Sequence, residues 1–480
     1  MTNCDNVKCT FVDCLIRKRV VRWQRGGLKG LSSLKISTGV AALSLLSACA
    51  TYTPDPLDSP SDALAGLEAD KLAALTSTID TPYLLGKPVD IATPLDRDAV
   101  ALVALARNPD LIALRERVGV AEAQVLDAGL LPDPVVGLSG DRVVSGPTTT
   151  RPDNLAGQIA LDINALRTRG ARRDAAEEAL RQVRLDLAWA EWQVVEAARL
   201  QAVRVHYLIR SSQLAAANRQ AAQDLLRRYL AAAGRGDIGG DQVQSARIAL
   251  TDAIDRDNAA RLGLVSSRRE LNRIMGIPPE TIIALEMPIV AATPPAYDAL
   301  LEKALGERFD LAALRAGYAS QEASVRLAIL EQFPSLNLGF SFTRDSSNNG
   351  LIGALLDFAL PSLNANRGQI AIQRATRSAL KAEFDARLFA TRADLEEALA
   401  AYGELARQYD ALQSDLPEIA RYAEATRRAA DRGDLAEATA IAAEQTLRDR
   451  QILLLSLEQS LAEQVIALEL ASQLPIERWN

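Results

Sequence analysis

The sequence predicts a mainly α protein with a smaller β component, assembled from one long unit used twice. Three observations carry that reading. Two stretches of about 65 residues, 169–233 and 367–431, hold a helical apolar period without a break. Two pairs of short segments change to an alternating period. Landmarks of the first half return about 200 residues later.

At 1.5 Å per residue, each long run makes a rod of roughly 100 Å, too long for a compact globule. Each ends in nearly the same four residues, Arg235-Gly236-Asp237-Ile238 and Arg432-Gly433-Asp434-Leu435. Glycine inside a helix costs about 1 kcal/mol against alanine, so it marks a reversal more readily than a helix interior. A returning helical pattern follows each glycine, to Leu271-Asn272-Arg273-Ile274-Met275-Gly276 in the first half and from Glu437 to Gln473 in the second. The two stretches therefore read as tips of helical hairpins. Apolar positions 395, 399, 402, 405, 409, 412 and 416 keep a mean spacing of 3.5, the coiled-coil period. Pro417 removes one backbone bond and is expected to kink the second rod.

The strand signals lie just before the rods. Leu155, Gly157, Ile159, Leu161 and Ile163 alternate with positions that include Gln158 and Asp162, and Val135 to Asp141 is a less regular companion. In the second half Leu336, Leu338, Phe340 and Phe342 alternate with Asn337, Gly339, Ser341 and Thr343. The turn-rich loop 344–350 leads to Ile352, Ala354, Leu356, Phe358 and Leu360, which predicts a hairpin. A small soluble sandwich and a lipid-facing barrel wall fit this alternation equally well.

Four landmarks fix the duplication. Asp110-Leu111 returns as Asp310-Leu311, Pro132 as Pro334, Gly170 as Gly368 and Gly236 as Gly433, at offsets of 200, 202, 198 and 197.

Composition excludes several function classes. The formal charge is −7, and the first 48 residues carry a surplus of +6, which leaves −13 for the rest. An acidic body argues against nucleic acid as a partner. All four cysteines (Cys4, Cys9, Cys14 and Cys49) fall in the first tenth of the chain, and His206 is the one histidine. No thiolate or paired-imidazole metal site is expected, nor any cofactor. No nucleophile, metal or phosphate-loop constellation suggests an enzyme.

Residues 1–48 read as a secretory signal, a basic segment followed by the short apolar run 36–48. Leu46-Ser47-Ala48-Cys49 resembles a bacterial lipobox, which makes Cys49 the expected lipidated first residue. Pro54, Pro56, Pro60, Pro82, Pro88 and Pro94 mark 49–94 as a mostly extended linker. The first repeat is then 95–276, with a helix near 96–128 broken at Asn108-Pro109. An inter-repeat linker covers 277–298, the second repeat 299–474, and a short tail 475–480.

These features together resemble the TolC-like outer membrane efflux proteins, in their lipoprotein branch. The resemblance rests on the lipobox, the duplicated order of helix, strand pair, long helix, glycine turn and helix, and Asn108-Pro109-Asp110-Leu111. Further matches are the Leu-Leu-Pro lead-in to the first strand, the 271–276 motif, and Arg-Gly at 169–170 and 367–368, where strand would give way to rod. It implies a homotrimer whose four strands per subunit close a transmembrane β-barrel of twelve strands in outer membrane lipid, continued by a periplasmic α-helical tunnel. It further implies a passive export duct serving a periplasmic adaptor protein and an inner-membrane pump of the resistance-nodulation-division type. The tip residues Arg235 to Ile238 and Arg432 to Leu435 would then contact the adaptor, with Asp237, Asp431 and Asp434 as gate carboxylates. Glu331-Gln332-Phe333-Pro334-Ser335-Leu336 and Pro417 are similar to the heavy-metal efflux branch, so the cargo would be metal cations or drugs. Alternatives within reach of the sequence are a type I secretion duct and a coiled-coil envelope scaffold without a pore.

Overall fold

The computed structural model describes residues 52–57, 59, 69–142, 144, 153–287, 293–333, 336–345, 349–361 and 363–479. The signal segment and Cys49, with Cys4, Cys9 and Cys14, lie outside them. Residues 1–65 form one unit and Gly66–Asn480 another, and every element below belongs to the second.

The first half begins with helix α1 (Ala69–Ser77) and a minimal hairpin of β1 (Asp80–Thr81) and β2 (Leu84–Leu85), followed by α2 (Arg97–Arg107) and α3 (Pro109–Gly129). Strands β3 (Val135–Arg142) and β4 (Asp153–Asp162) lead into α4 (Ile163–Gly234), which returns as α5 (Gly240–Ile274). The second half repeats this order with α6 (Tyr297–Glu307), α7 (Phe309–Leu330), β5 (Leu336–Arg344), β6 (Gly350–Phe358), α8 (Arg367–Asp431) and α9 (Glu437–Ser472). Helix α4 pairs with α5 and α8 with α9, and α4 also packs on α3, α7 and α9. None of the described helices is both long and apolar enough to cross a membrane.

Three expectations change. The first rod starts at Ile163, not after Gly170, because the Asp162 carboxylate accepts from the Asn164 and Ala165 amides at 2.8 and 3.1 Å and caps the helix there. Ile163 is thus helical, and Arg169-Gly170 lies inside the rod, not at its junction with the strand. Residues 69–94 are folded, not extended: Leu72, Leu84 and Val89 are buried in the core around α2. The tail is also built in, with Ile476 and Trp479 packed against Leu300, Leu395 and Leu468. Pro417 lies inside α8 without ending it.

The motifs that mark the first half form one clamp. Asn108 caps α3, its Oδ1 accepting from the Asp110 and Leu111 amides at 3.0 and 3.1 Å, while its Nδ2 donates to the Ile274 carbonyl at 2.9 Å. Asn272 Nδ2 donates to the carbonyls of Pro278, Pro279 and Thr281, folding the chain back after α5. Between them Gly276, at φ +60°, brings its Cα against the Arg107 carbonyl. In the second half Arg308 and Gln473 take these places. Arg308 grips Asp310 at 2.7 and 3.0 Å and the Ala471 carbonyl at 2.7 Å, and Gln473 accepts from the Phe309 amide at 2.7 Å.

All four long strands form one antiparallel sheet in the order β3-β4-β5-β6. Direct pairing puts Val136, Ile159, Phe340 and Ala354 in one row, and Leu138, Gly157, Phe342 and Ile352 in the next. The intervening rows, such as Gly137, Gln158, Ser341 and Gly353, occupy the opposite face. The apolar face is exposed, Phe340 being 64 % and Ile352 84 % accessible, while on the opposite face of β5 Asn337, Ser341 and Thr343 are half-buried; at the outer strands that face also exposes Val135 and Leu351. A soluble sandwich needs the reverse, with the apolar face covered by a second layer.

Candidate functional site

The two hairpin tips have the same local structure. At the end of α4 the Gly236 amide donates to the Ala233 carbonyl at 2.9 Å and the Asp237 amide to Ala232 at 3.0 Å. At the end of α8 the Gly433 amide donates to Ala430 and the Asp434 amide to Ala429, both at 2.9 Å. Both are Schellman caps, which place one residue in the left-handed region and satisfy the last helical carbonyls. That residue is Gly236 at φ +81° and Gly433 at φ +79°. No neighbouring atom stands where a side chain would go at either glycine. Gly433→Ala is therefore expected to cost only the backbone penalty, about 1–2 kcal/mol, read as faster amide exchange at the last turn of α8.

The residues flanking each glycine are ion-paired to one another. Arg235 Nε donates to Asp237 at 2.8 Å, and Arg432 Nε to Asp434 at 2.8 Å. All four side chains are more than half exposed, so each pair is worth under about 1 kcal/mol. Asp431 faces Arg427 at 3.9 Å. Ile238 is half-buried, whereas Leu435 is 42 % exposed and does not pack behind its turn.

The structure joins the tips through residues that helical periodicity alone does not single out. Arg427 of α8 reaches Glu437 at 3.0 Å and Glu444 at 2.5 Å on α9, and Arg228 of α4 reaches the same Glu437 at 2.8 Å. The Arg427 hydrogen bond holds the Glu437 carboxyl below its ordinary range despite partial burial. Both tips therefore sit at one end of the unit. The seam continues upward through Arg256–Asp449, Arg210–Glu458 and Arg204–Glu463 at 3.8, 3.3 and 3.0 Å. In each pair the arginine belongs to the first hairpin and the acid to α9. A groove of about 380 Å³ opens along this seam, lined by Asn218, Leu225, Ile248, Arg256, Ile441 and Arg448 among others.

His206 lies edge-on to Tyr207, 5.4 Å between ring centres, with its pKa pushed down by burial and by Arg210. Among the described residues no group of three or more His, Cys, Asp or Glu side chains is arranged to hold a metal.

Residues 300–472, from α6 to the end of α9, match the family model described as outer membrane efflux protein. No curated protein matches the sequence. Solved structures extend the likeness of fold to the rest of the unit. The Campylobacter jejuni outer membrane channel CmeC is similar at TM-score 0.65 and 15 % identity, covering 88 % of this chain and 94 % of that one. The outer-membrane channel OprN is similar at TM-score 0.68 and 15 % identity, covering 89 % and 99 %. The Neisseria gonorrhoeae channel MtrE, solved in an open state, is similar at TM-score 0.64 and 17 % identity, covering 78 % and 88 %. Within the matched segment lie β5, β6, the Arg432–Asp434 tip and the acidic side of the seam.

Proposed function

We propose that this chain is the outer membrane channel of a tripartite efflux system, a passive duct for small substrates received from a periplasmic adaptor and an inner-membrane pump. The observation that carries the reading is the inverted sheet. An exposed apolar face backed by a polar one is stable where lipid lies on one side and water on the other. Strands β3 and β6 are the outer strands of the sheet in one subunit, and open edges are not tolerated in hydrocarbon. Three copies closing edge to edge into a twelve-stranded barrel satisfy them. The helical hairpins then continue the conduit into the periplasm, and Cys49 carries the lipid anchor. The six tips form the periplasmic mouth and, with the charged seam groove above them, the surface offered to the adaptor. Cargo is metal cations or drugs, selected upstream by the pump.

Purified protein reconstituted in planar bilayers is expected to run as a heat-resistant trimer and to conduct. A monomer without conductance overturns the proposal. Neutralising both tips with Asp237→Asn and Asp434→Asn is expected to lower cation preference and raise opening, by no more than about fivefold per exposed pair removed. Selectivity unchanged by the double substitution would remove these carboxylates from any gating role. A deletion strain profiled against metals, dyes and antibiotics identifies the cargo.

A further inference from the structure

Where α2, α4 and α9 meet, three charged side chains are buried together and a fourth, Arg97, is partly buried beside them, far from the tips. Glu196 of α4 and Glu469 of α9 are 1 % and 0 % exposed, and Arg199 is 1 % exposed. Arg199 donates to Glu196 Oε1 at 2.7 Å and to Asp98 of α2 at 2.9 Å. Arg97 of α2 is hydrogen-bonded to Glu469 Oε2 and stands 3.9 Å from Glu196. Glu469 Oε1 accepts from the Ile476 amide at 2.7 Å, which ties down the C-terminal segment. The cluster thus joins the first half to the returning helix of the second hairpin.

The two carboxylates are not equally served. Both oxygens of Glu469 accept hydrogen bonds, whereas Glu196 Oε2 is buried with no hydrogen-bond partner, the Arg97 guanidinium standing 3.9 Å away. A charged oxygen in that position is costly, and a proton placed there displaces no existing bond. The groups around it are Arg199 and Glu191 on its own helix, Arg97 and Asp98 on α2, Arg115 on α3, Glu469 on α9 and Tyr83 after α1.

We propose that Glu196 is a proton-operated clamp that sets how firmly α9, and with it the second hairpin, is held to the first half. Burial first, and then the Glu469 carboxylate, push Glu196 up to about 7 from an ordinary 4.5, against the pull of Arg199 and Arg97. The sign follows. An opened cluster gives up its proton near the ordinary value and the closed cluster near neutrality, so the closed form binds more protons between them. The clamp is tight at acid pH and loosens as pH rises toward and through 7. This stands whether or not the chain is a duct.

The test is amide exchange across α9 in the full-length protein in detergent, corrected for intrinsic rates. The opening equilibrium of residues 455–472 is expected to fall about tenfold from pH 8 to pH 6, and Glu196→Gln is expected to hold the low value at both. A wild-type equilibrium unchanged by pH, or a variant that keeps the full pH response, overturns the proposal. Should Glu196→Gln misfold, difference infrared spectroscopy of the wild type decides. A protonated carboxyl band growing between pH 8 and pH 6 and titrating lower in Glu469→Gln supports the clamp, and its absence refutes it.

Discussion

Gly276→Ala lowers the stability of the first half by about 2–5 kcal/mol, the sum expected for a left-handed alanine and a forced displacement of packed backbone. Gly276 sits at φ +60°, and a Cβ added there would stand 2.1 Å from the Arg107 carbonyl oxygen. That carbonyl ends α2, whose residues Ala99 to Leu105 are all buried. The helix cannot retreat without opening the core around Leu102 and Leu271. The expected result is a lower thermal unfolding midpoint, with cleavage by protease after α5 as a second readout. Gly433→Ala is the control, since its φ is similar but nothing crowds its side-chain position. Equal effects at the two glycines would show that backbone strain alone sets the cost and that the close approach to α2 carries none.

Phe340→Arg prevents stable insertion of the sheet, whereas Ser341→Arg, one residue along the same strand, is tolerated. A guanidinium facing lipid at mid-depth costs about 2–4 kcal/mol in a β-barrel, and a trimer would incur that cost three times. Phe340 occupies the apolar face between Ile159 and Ala354, and Ser341 the polar face between Gln158 and Gly353. The measurement is the fraction of protein recovered as heat-resistant trimer in outer membranes. Equal recovery of the two variants would mean that the apolar face does not meet lipid and would remove the main support for the barrel.

The sequence carried much of this architecture because its signals are local. A glycine between two long helical runs requires a reversal, and the matching positions of Gly236 and Gly433 required two. Alternation in 336–343 was enough to place a strand with one apolar face. Where local reading slipped, a side chain outweighed the pattern: Asp162 caps α4 eight residues ahead of Gly170. Proline content made 69–94 look extended, yet Leu72, Leu84 and Val89 fill the surface of α2 and fold that stretch onto it. Nor did the tip residues alone disclose the joint between hairpins, since Arg228, Arg427 and Glu437 meet only across three helices.

By itself, then, the sequence determined the helical rods, the two tips, the strand alternation and the duplication. Each depends on residues within a few positions of one another, where backbone conformation and periodicity decide. Only the tertiary structure decided that β4 pairs with β5 to make one sheet from two halves, and that its apolar face is the uncovered one. It alone brought Arg97, Glu196, Arg199 and Glu469 into one cluster. These contacts span up to 372 residues, and no local pattern specifies the partner of a charge or a strand edge at that distance. Burial and pairing do, once the long helices have aligned the two halves side by side.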